Sequence, residues 1–123
     1  MISSAEVLKI HKLLIDQFGG SHGVRDRSSL SSAINRPFTT FNQEELYLEP
    51  VDKAAAILES IVTNHPFIDG NKRTGYVLAR LLLLQSGIDI RATQKDKYEM
   101  VMAVSKGEWK FQQIKDWMIK HCK

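Results

Sequence analysis

A single cysteine, Cys122, stands among the 123 residues, so no internal disulfide can staple the fold. That scarcity fits a reducing compartment, and a cytoplasmic location is expected. No oriented base accompanies the thiol in the sequence, so it reads as a bystander rather than a nucleophile. No apolar run can span a bilayer, Leu81–Leu84 being far too short, and no membrane association is expected. The start, Met-Ile-Ser-Ser-Ala-Glu, has neither a charged n-region nor a long apolar stretch, so no secretion signal is expected. Repeats, low-complexity tracts and linkers are absent, and residues 1–123 are expected to form one domain. Charge of one sign is not in excess either. A net charge of +3 argues against nucleic acid as a direct partner, although Lys106, Lys110, Lys115, Lys120 and Lys123 thicken toward the end. Those lysines read as a solvated helix face or, second, as a surface for nucleic acid or an acidic partner.

What is present is the balance of a globular chain, 43% hydrophobic and 25% charged, long enough to bury a core. Almost all of it reads as helix. Ser3-x-x-Glu6 is a capping box opening a helix with Val7, Ile10, Leu14 and Phe18 on one face, ended by Gly19-Gly20. A short helix is predicted from Ser28 to Arg36, stopped by Pro37. Pro50 opens another to Asn64 with Ala54, Ile57, Leu58 and Ile61 buried, and His65-Pro66 breaks it. From Lys72 to Gly87 the pattern predicts a largely buried helix through Tyr76, Leu78, Leu81, Leu82 and Leu84. Ile88–Arg91 reads as an extended link. Thr93 caps a helix to about Lys106 with Tyr98, Val101 and Met102 inward, and a last helix covers 108–121. In that last helix Trp109, Ile114, Trp117, Met118 and His121 read as packing residues or a partner groove.

One run, residues 65–75, concentrates the chemistry: His-Pro-Phe-Ile-Asp-Gly-Asn-Lys-Arg-Thr-Gly. Asp69-Gly70-Asn71 is a turn signal placed at a helix start. The first-turn N–H groups, from Asn71 to Thr74, carry partial positive charge and form an anion site. Lys72 and Arg73 add two full charges where the helix dipole disfavours them, an electrostatic error that an arriving anion would correct. Arg73 can grip phosphate bidentately and Lys72 acts as a mobile point charge. Asp69 is a hard oxygen ligand suited to Mg²⁺ held jointly with substrate phosphates. His65, four residues earlier, is the side-chain type that titrates near neutrality and could take a hydroxyl proton. Phe67 reads as a buried anchor for the loop. Each residue alone also has a plain reading: a helix-end His, a turn-forming Asp, a solvated Lys-Arg pair.

The run His65-Pro66-Phe67-Ile68-Asp69-Gly70-Asn71-Lys72-Arg73 resembles the signature of the Fic/Doc superfamily, in the form with Lys after Asn seen in its death-on-curing branch. Gly19-Gly20, Gly23-Val24-Arg25-Asp26, the stretch from Leu30 to Pro37, Leu46-Tyr47 and Lys53-Ala54-Ala55 are similar to Doc-type chains as well. The resemblance implies an all-α bundle with a central helix after the active loop and a short flap. It also implies a toxin restrained by a cognate antitoxin and using ATP and Mg²⁺. Under it His65 is the general base, Asp69 the metal ligand, and Gly70, Asn71, Lys72 and Arg73 the nucleotide contacts. With Lys72 in place of the more common Gly, it implies transfer of the terminal phosphate to a hydroxyl, a threonine of elongation factor Tu being the suspected target. Lys72 would fill the space that Gly leaves for phosphate, so that the nucleotide binds reversed over His65.

Departures sharpen that placement. Tyr76 stands where most Fic proteins carry a second Arg, a feature shared with Doc-like members. Arg80, seven residues past Arg73, either reaches the site or lies on the surface. No Ser/Thr-x-x-x-Glu-Gly/Asn self-inhibitory segment occurs, so restraint would come from a separate partner. Phe38–Glu49 is the least helical stretch. Leu46, Tyr47 and Leu48 read either as a flap strand for a target peptide or as a loop with Leu46 and Leu48 plugging the core. Transfer of AMP to a protein hydroxyl, and non-catalytic binding of a nucleotide or RNA, stand as alternatives to phosphate transfer.

Overall fold

Six α-helices and one small hairpin make up residues 2–123, the part of the chain described by this computed structural model. The all-α expectation holds, with two residues in each strand of the hairpin. Among the described residues no helix is long and apolar enough to cross a membrane.

Helix α1, Ser4–Phe18, starts at the expected capping box, with Glu6 N donating to Ser3 Oγ at 3.1 Å and Ser3 N to Glu6 Oε1 at 3.2 Å. Its buried face differs from the predicted one. Val7, His11 and Ile15 are buried, Ile10 and Leu14 flank them, and Phe18 is 54% exposed. A histidine can sit in that stripe because its ring nitrogen is hydrogen-bonded inside, which a hydrophobicity pattern does not register. Helix α2, Arg27–Asn35, starts one residue early, where the Asp26 side chain accepts Ser29 N at 3.1 Å. One 3-10 turn, Arg36–Phe38, then carries the chain past Pro37.

The flap is a hairpin of β1, Thr40–Phe41, and β2, Glu44–Glu45, with Thr40 opposite Glu45. Its two turn residues, Asn42 and Gln43, both have positive φ, the geometry that suits a two-residue hairpin. The expected strand at Leu46–Leu48 is instead a bend, and Leu46 and Leu48, 58% and 68% exposed, plug no core. Tyr47 anchors the bend: its hydroxyl accepts Arg36 Nε at 3.0 Å and its ring packs against Phe111.

Helix α3, Pro50–Asn64, matches the predicted span and buries Ala54 through Leu58 together with Ile61 and Val62. A helix apolar around most of its circumference belongs at the centre, and α3 shares that place with α4, Asn71–Leu84. The two approach closely at Gly75, where a Cβ would stand 2.9 Å from Val62 Cγ2. In α4 Leu78, Ala79, Leu82 and Leu83 are buried and Tyr76 and Leu81 are half-buried; Leu84, predicted inside, faces solvent.

After Gly87 the extended link pairs with the chain end, Asp89 and Lys123 exchanging both backbone hydrogen bonds at 3.0 Å. Arg80 grips Asp89 at 2.8 and 3.0 Å, so this guanidinium is committed away from the 65–75 run. Burial pushes the Cys122 thiol up to about 11 and keeps it protonated at neutral pH. Helix α5, Gln94–Ser105, is capped by Thr93 as predicted. Its inward residues are Met100, Val101 and Val104, while Tyr98 is 66% exposed. Helix α6, Phe111–His121, is shorter than predicted and packs Ile114, Trp117 and Met118 inward. One of the C-terminal lysines is not merely solvated: Lys115 Nζ lies 2.8 Å from Asp52 Oδ1 on α3.

Candidate active site

The 65–75 run folds as a loop between α3 and α4, and the segment after α1 holds it in place. His65 closes α3 in the left-handed region at φ 50°, and Arg25 donates to the freed carbonyls of Asn64 and His65, both at 2.6 Å. Pro66 O accepts Arg25 N and Asp26 N at 2.7 and 3.1 Å, and Ile68 N donates to Gly23 O at 3.1 Å. Gly23–Asp26 is therefore the scaffold on which the loop lies, a role the sequence hinted at only through its likeness to related chains.

Phe67 is fully buried, as expected of the anchor. Asn71 clamps it: Phe67 N donates to Asn71 Oδ1, and Asn71 Nδ2 donates to Phe67 O, both at 2.9 Å. The amide side chain of Asn71 is thus committed to the loop, leaving its backbone N–H for a ligand. The neighbouring N–H groups of Lys72 and Arg73 also face no carbonyl, since Thr74 N is the first to bond back, to Gly70 O at 3.0 Å. Gly70, at φ 75°, precedes this turn and offers no side-chain cap. The start of α4 is therefore an uncapped set of donors carrying two exposed cations.

Asp69 lies beside those donors. Its Oδ2 accepts Ser21 N at 3.1 Å and its Oδ1 accepts Gly70 N at 2.8 Å. These backbone bonds hold the carboxyl below its ordinary value, with Lys72 among the smaller contributors. Each oxygen keeps a lone pair for a cation. Among the described residues no group of three or more acidic, His or Cys side chains could hold a metal unaided. A single carboxylate suits Mg²⁺ bound together with phosphates, and the donor set fits that ion in a nucleotide complex.

A cleft of about 430 Å³ opens over this corner. Asp69 and Gly70 of the loop, Asn71, Lys72, Arg73 and Tyr76 of α4, and Gln94, Lys97, Tyr98, Val101 and Met102 of α5 line it. Five of the six proposed site residues meet there. The sixth, His65, is exposed at the end of α3 and is not part of the cleft wall. Arg73 rests with its guanidinium carbon 4.2 Å from the centre of the Phe18 ring, a cation–π seat. The contribution of α5 was not legible beforehand, because nothing local in residues 94–102 ties them to the loop. Tyr76 and Tyr98 were the available signal, both assigned to packing. His11, also missed, donates from Nε2 to Asp69 O at 2.8 Å and stacks flat on Phe67 at 3.8 Å.

Comparison with known proteins bears on the same segment. The model of the Fic/DOC family matches residues 1–83. The chain is 41% identical over 75 residues to "Toxin Doc" of Mycolicibacterium smegmatis, covering 61% of this chain and 58% of that protein. It is 29% identical over 89 residues to "Protein kinase doc" of Escherichia phage P1, covering 72% and 70% of the two chains. A shorter stretch of 46 residues is 37% identical to "Protein adenylyltransferase fic-1" of Caenorhabditis elegans, 37% of this chain but 9% of that one. The matched region contains α1, the flap, α3, the loop and nearly all of α4, and so the Asp69–Arg73 part of the cleft, while the α5 part lies beyond it. The chain belongs to the Fic/DOC family.

Proposed function

We propose that this chain is a Doc-type toxin that transfers the terminal phosphate of ATP to a hydroxyl of a protein target. The observation that carries the reading is the uncapped start of α4, where free N–H groups, Lys72 and Arg73 stand beside the Asp69 carboxylate. The relative named a Doc protein kinase supports this reaction class, and the one named a Doc toxin supports the toxin reading.

In this reading Gly70, Asn71, Lys72 and Arg73 bind the phosphates, Asn71 through its backbone N–H and the cations through their side chains. Asp69 holds Mg²⁺, which when bound neutralises phosphate charge. His65, exposed beside the loop, takes the proton of an incoming protein hydroxyl as its oxygen bonds the terminal phosphorus and ADP leaves. An exposed base suits a substrate that is itself a protein surface. A threonine of elongation factor Tu is the proposed target, with arrest of translation the outcome. A cognate antitoxin is the proposed restraint and the cytoplasm the proposed location.

Incubation with a cell extract and ATP labelled in turn at its terminal and its α-phosphate tests the reading. Label from the terminal position alone is the expected result. Transfer from the α-position would establish AMP transfer, the activity named for the nematode relative, and overturn this assignment.

A further inference from the structure

His11 has no place in the reaction just proposed, yet it is among the few polar side chains buried in the fold, at 3% exposure. Its Nε2 lies 2.8 Å from Asp69 O, and a carbonyl oxygen can only accept, so Nε2 carries the hydrogen. Its ring lies parallel to Phe67, the planes 5° apart and the centroids 3.8 Å apart. One side chain therefore holds both the anchor of the loop and the backbone of the residue next to the free N–H groups.

The rest of α1 acts on the same peptide. A Cβ at Gly70 would stand 2.9 Å from Ile15 Cδ1 and 3.7 Å from His11 Nε2, so α1 packs directly beneath the left-handed turn. A Cβ at Gly20 would meet Asp69 Oδ2 at 2.7 Å, and Ser21 N already donates to that oxygen. Asp69 is thus fixed at its two ends from a single helix: the carbonyl by His11, the carboxylate by the loop that follows. Loss of the carbonyl contact removes one of these two holds and loosens the Asp69 carboxylate, while the Asn71 clamp and the Thr74 N–Gly70 O bond keep the first N–H groups of α4 in place.

We propose that His11 is a positioning residue: through the Asp69 carbonyl it sets where the Asp69 carboxylate stands toward a metal-bound phosphate, an inference that rests on the nucleotide reading above. Removing the Nε2 donor loosens the carboxylate without touching any ligand atom. The defect therefore falls on the magnesium-dependent part of binding.

Two variants separate the donor from the ring. His11→Phe keeps a ring on Phe67 and deletes the donor; His11→Gln places an amide N–H near the Nε2 position and deletes the stack. Calorimetry with ADP, with and without Mg²⁺, is the readout. His11→Phe is expected to weaken binding of ADP with Mg²⁺ by about tenfold, leave metal-free ADP within about twofold, and His11→Gln to recover most of the loss. Equal weakening with and without metal, or a His11→Gln variant as impaired as His11→Phe, overturns the proposal in favour of a packing role. Wild-type protein that binds no ADP with Mg²⁺ sinks the nucleotide reading itself. Wild-type binding matched by His11→Phe sinks this inference alone. A second measurement needs no variant: in the wild type the His11 Nε2–H resonance should be protected from solvent exchange and shift on addition of ADP with Mg²⁺. A freely exchanging or unmoved proton contradicts the proposal.

Discussion

Replacement of Asn71 by Ala separates a loop clamp from a phosphate contact, because the structure commits the amide to Phe67. Both hydrogen bonds are 2.9 Å long and lie in the buried interior, Asn71 being 8% exposed and Phe67 fully buried. The variant leaves a backbone N–H and a backbone C=O without partners. Each buried group stripped of its partner costs about 1–3 kcal/mol. With partial relaxation the pair amounts to roughly 2–5 kcal/mol, a large share of the about 5–15 kcal/mol that holds a domain folded. For a chain of this length that is a fall in melting temperature of roughly 6–20 °C. Asn71→Asp tests the geometry further. Its carboxylate can still accept Phe67 N–H but turns an oxygen against Phe67 C=O, so it too should melt below wild type. Scanning calorimetry of the variants against Lys72→Ala decides the matter. The exposed Lys72 should change stability by no more than about 0.5 kcal/mol while weakening nucleotide binding. An Asn71→Ala protein melting within a degree or two of wild type would refute the clamp.

Gly75→Ala should lower the melting temperature despite alanine's better helix propensity, worth about 1 kcal/mol, because overpacking against Val62 costs about 1–3 kcal/mol. A more stable variant in thermal melts would show that α3 and α4 can part cheaply. The Asp89 carboxyl is held down to about 2, chiefly by its hydrogen bond with Arg80. A depressed carboxylate stabilises the fold above its unfolded value of about 3.9, and that contribution disappears as pH falls through the folded value. Asp89→Asn should therefore melt below wild type at pH 7, with the difference closing between pH 4 and pH 2; a constant difference across that window would contradict the assignment. His65→Ala should abolish label transfer yet leave the melt within about 0.5 kcal/mol of wild type, since the imidazole is exposed. Transfer at the wild-type rate would mean that another group takes the proton.

Local signals were read well. Pro50 and His65-Pro66 bracket α3 because they act on the backbone of their own residues, and the Ser3–Glu6 box and Thr93 fix helix starts for the same reason. What escaped was set by distant parts of the chain. His11 looked polar, and only the Asp69 carbonyl, 58 residues away, makes its burial cheap. Tyr98 was placed inside on helical spacing, but α5 meets the bundle through Met100 and Val104 and leaves Tyr98 over the cleft. Leu46 and Leu48 suggested a strand or a plug; Tyr47 alone found a partner, in Arg36. In the 65–75 run the residue types pointed to the chemistry and the placement divided the work. Asp69 through Arg73 line the cleft, Asn71 holds the loop with its side chain, and His65 stands outside the cleft wall.

The start of α4 is the proposed phosphate site, and backbone amide resonances report on it directly. Titration of isotope-labelled protein with ATP and Mg²⁺ should shift the N–H signals of Asn71, Lys72 and Arg73 most, followed by those of Gly70 and Ser21, with α2 and α6 unchanged. Saturating ATP that leaves those three amides unmoved would contradict the central claim.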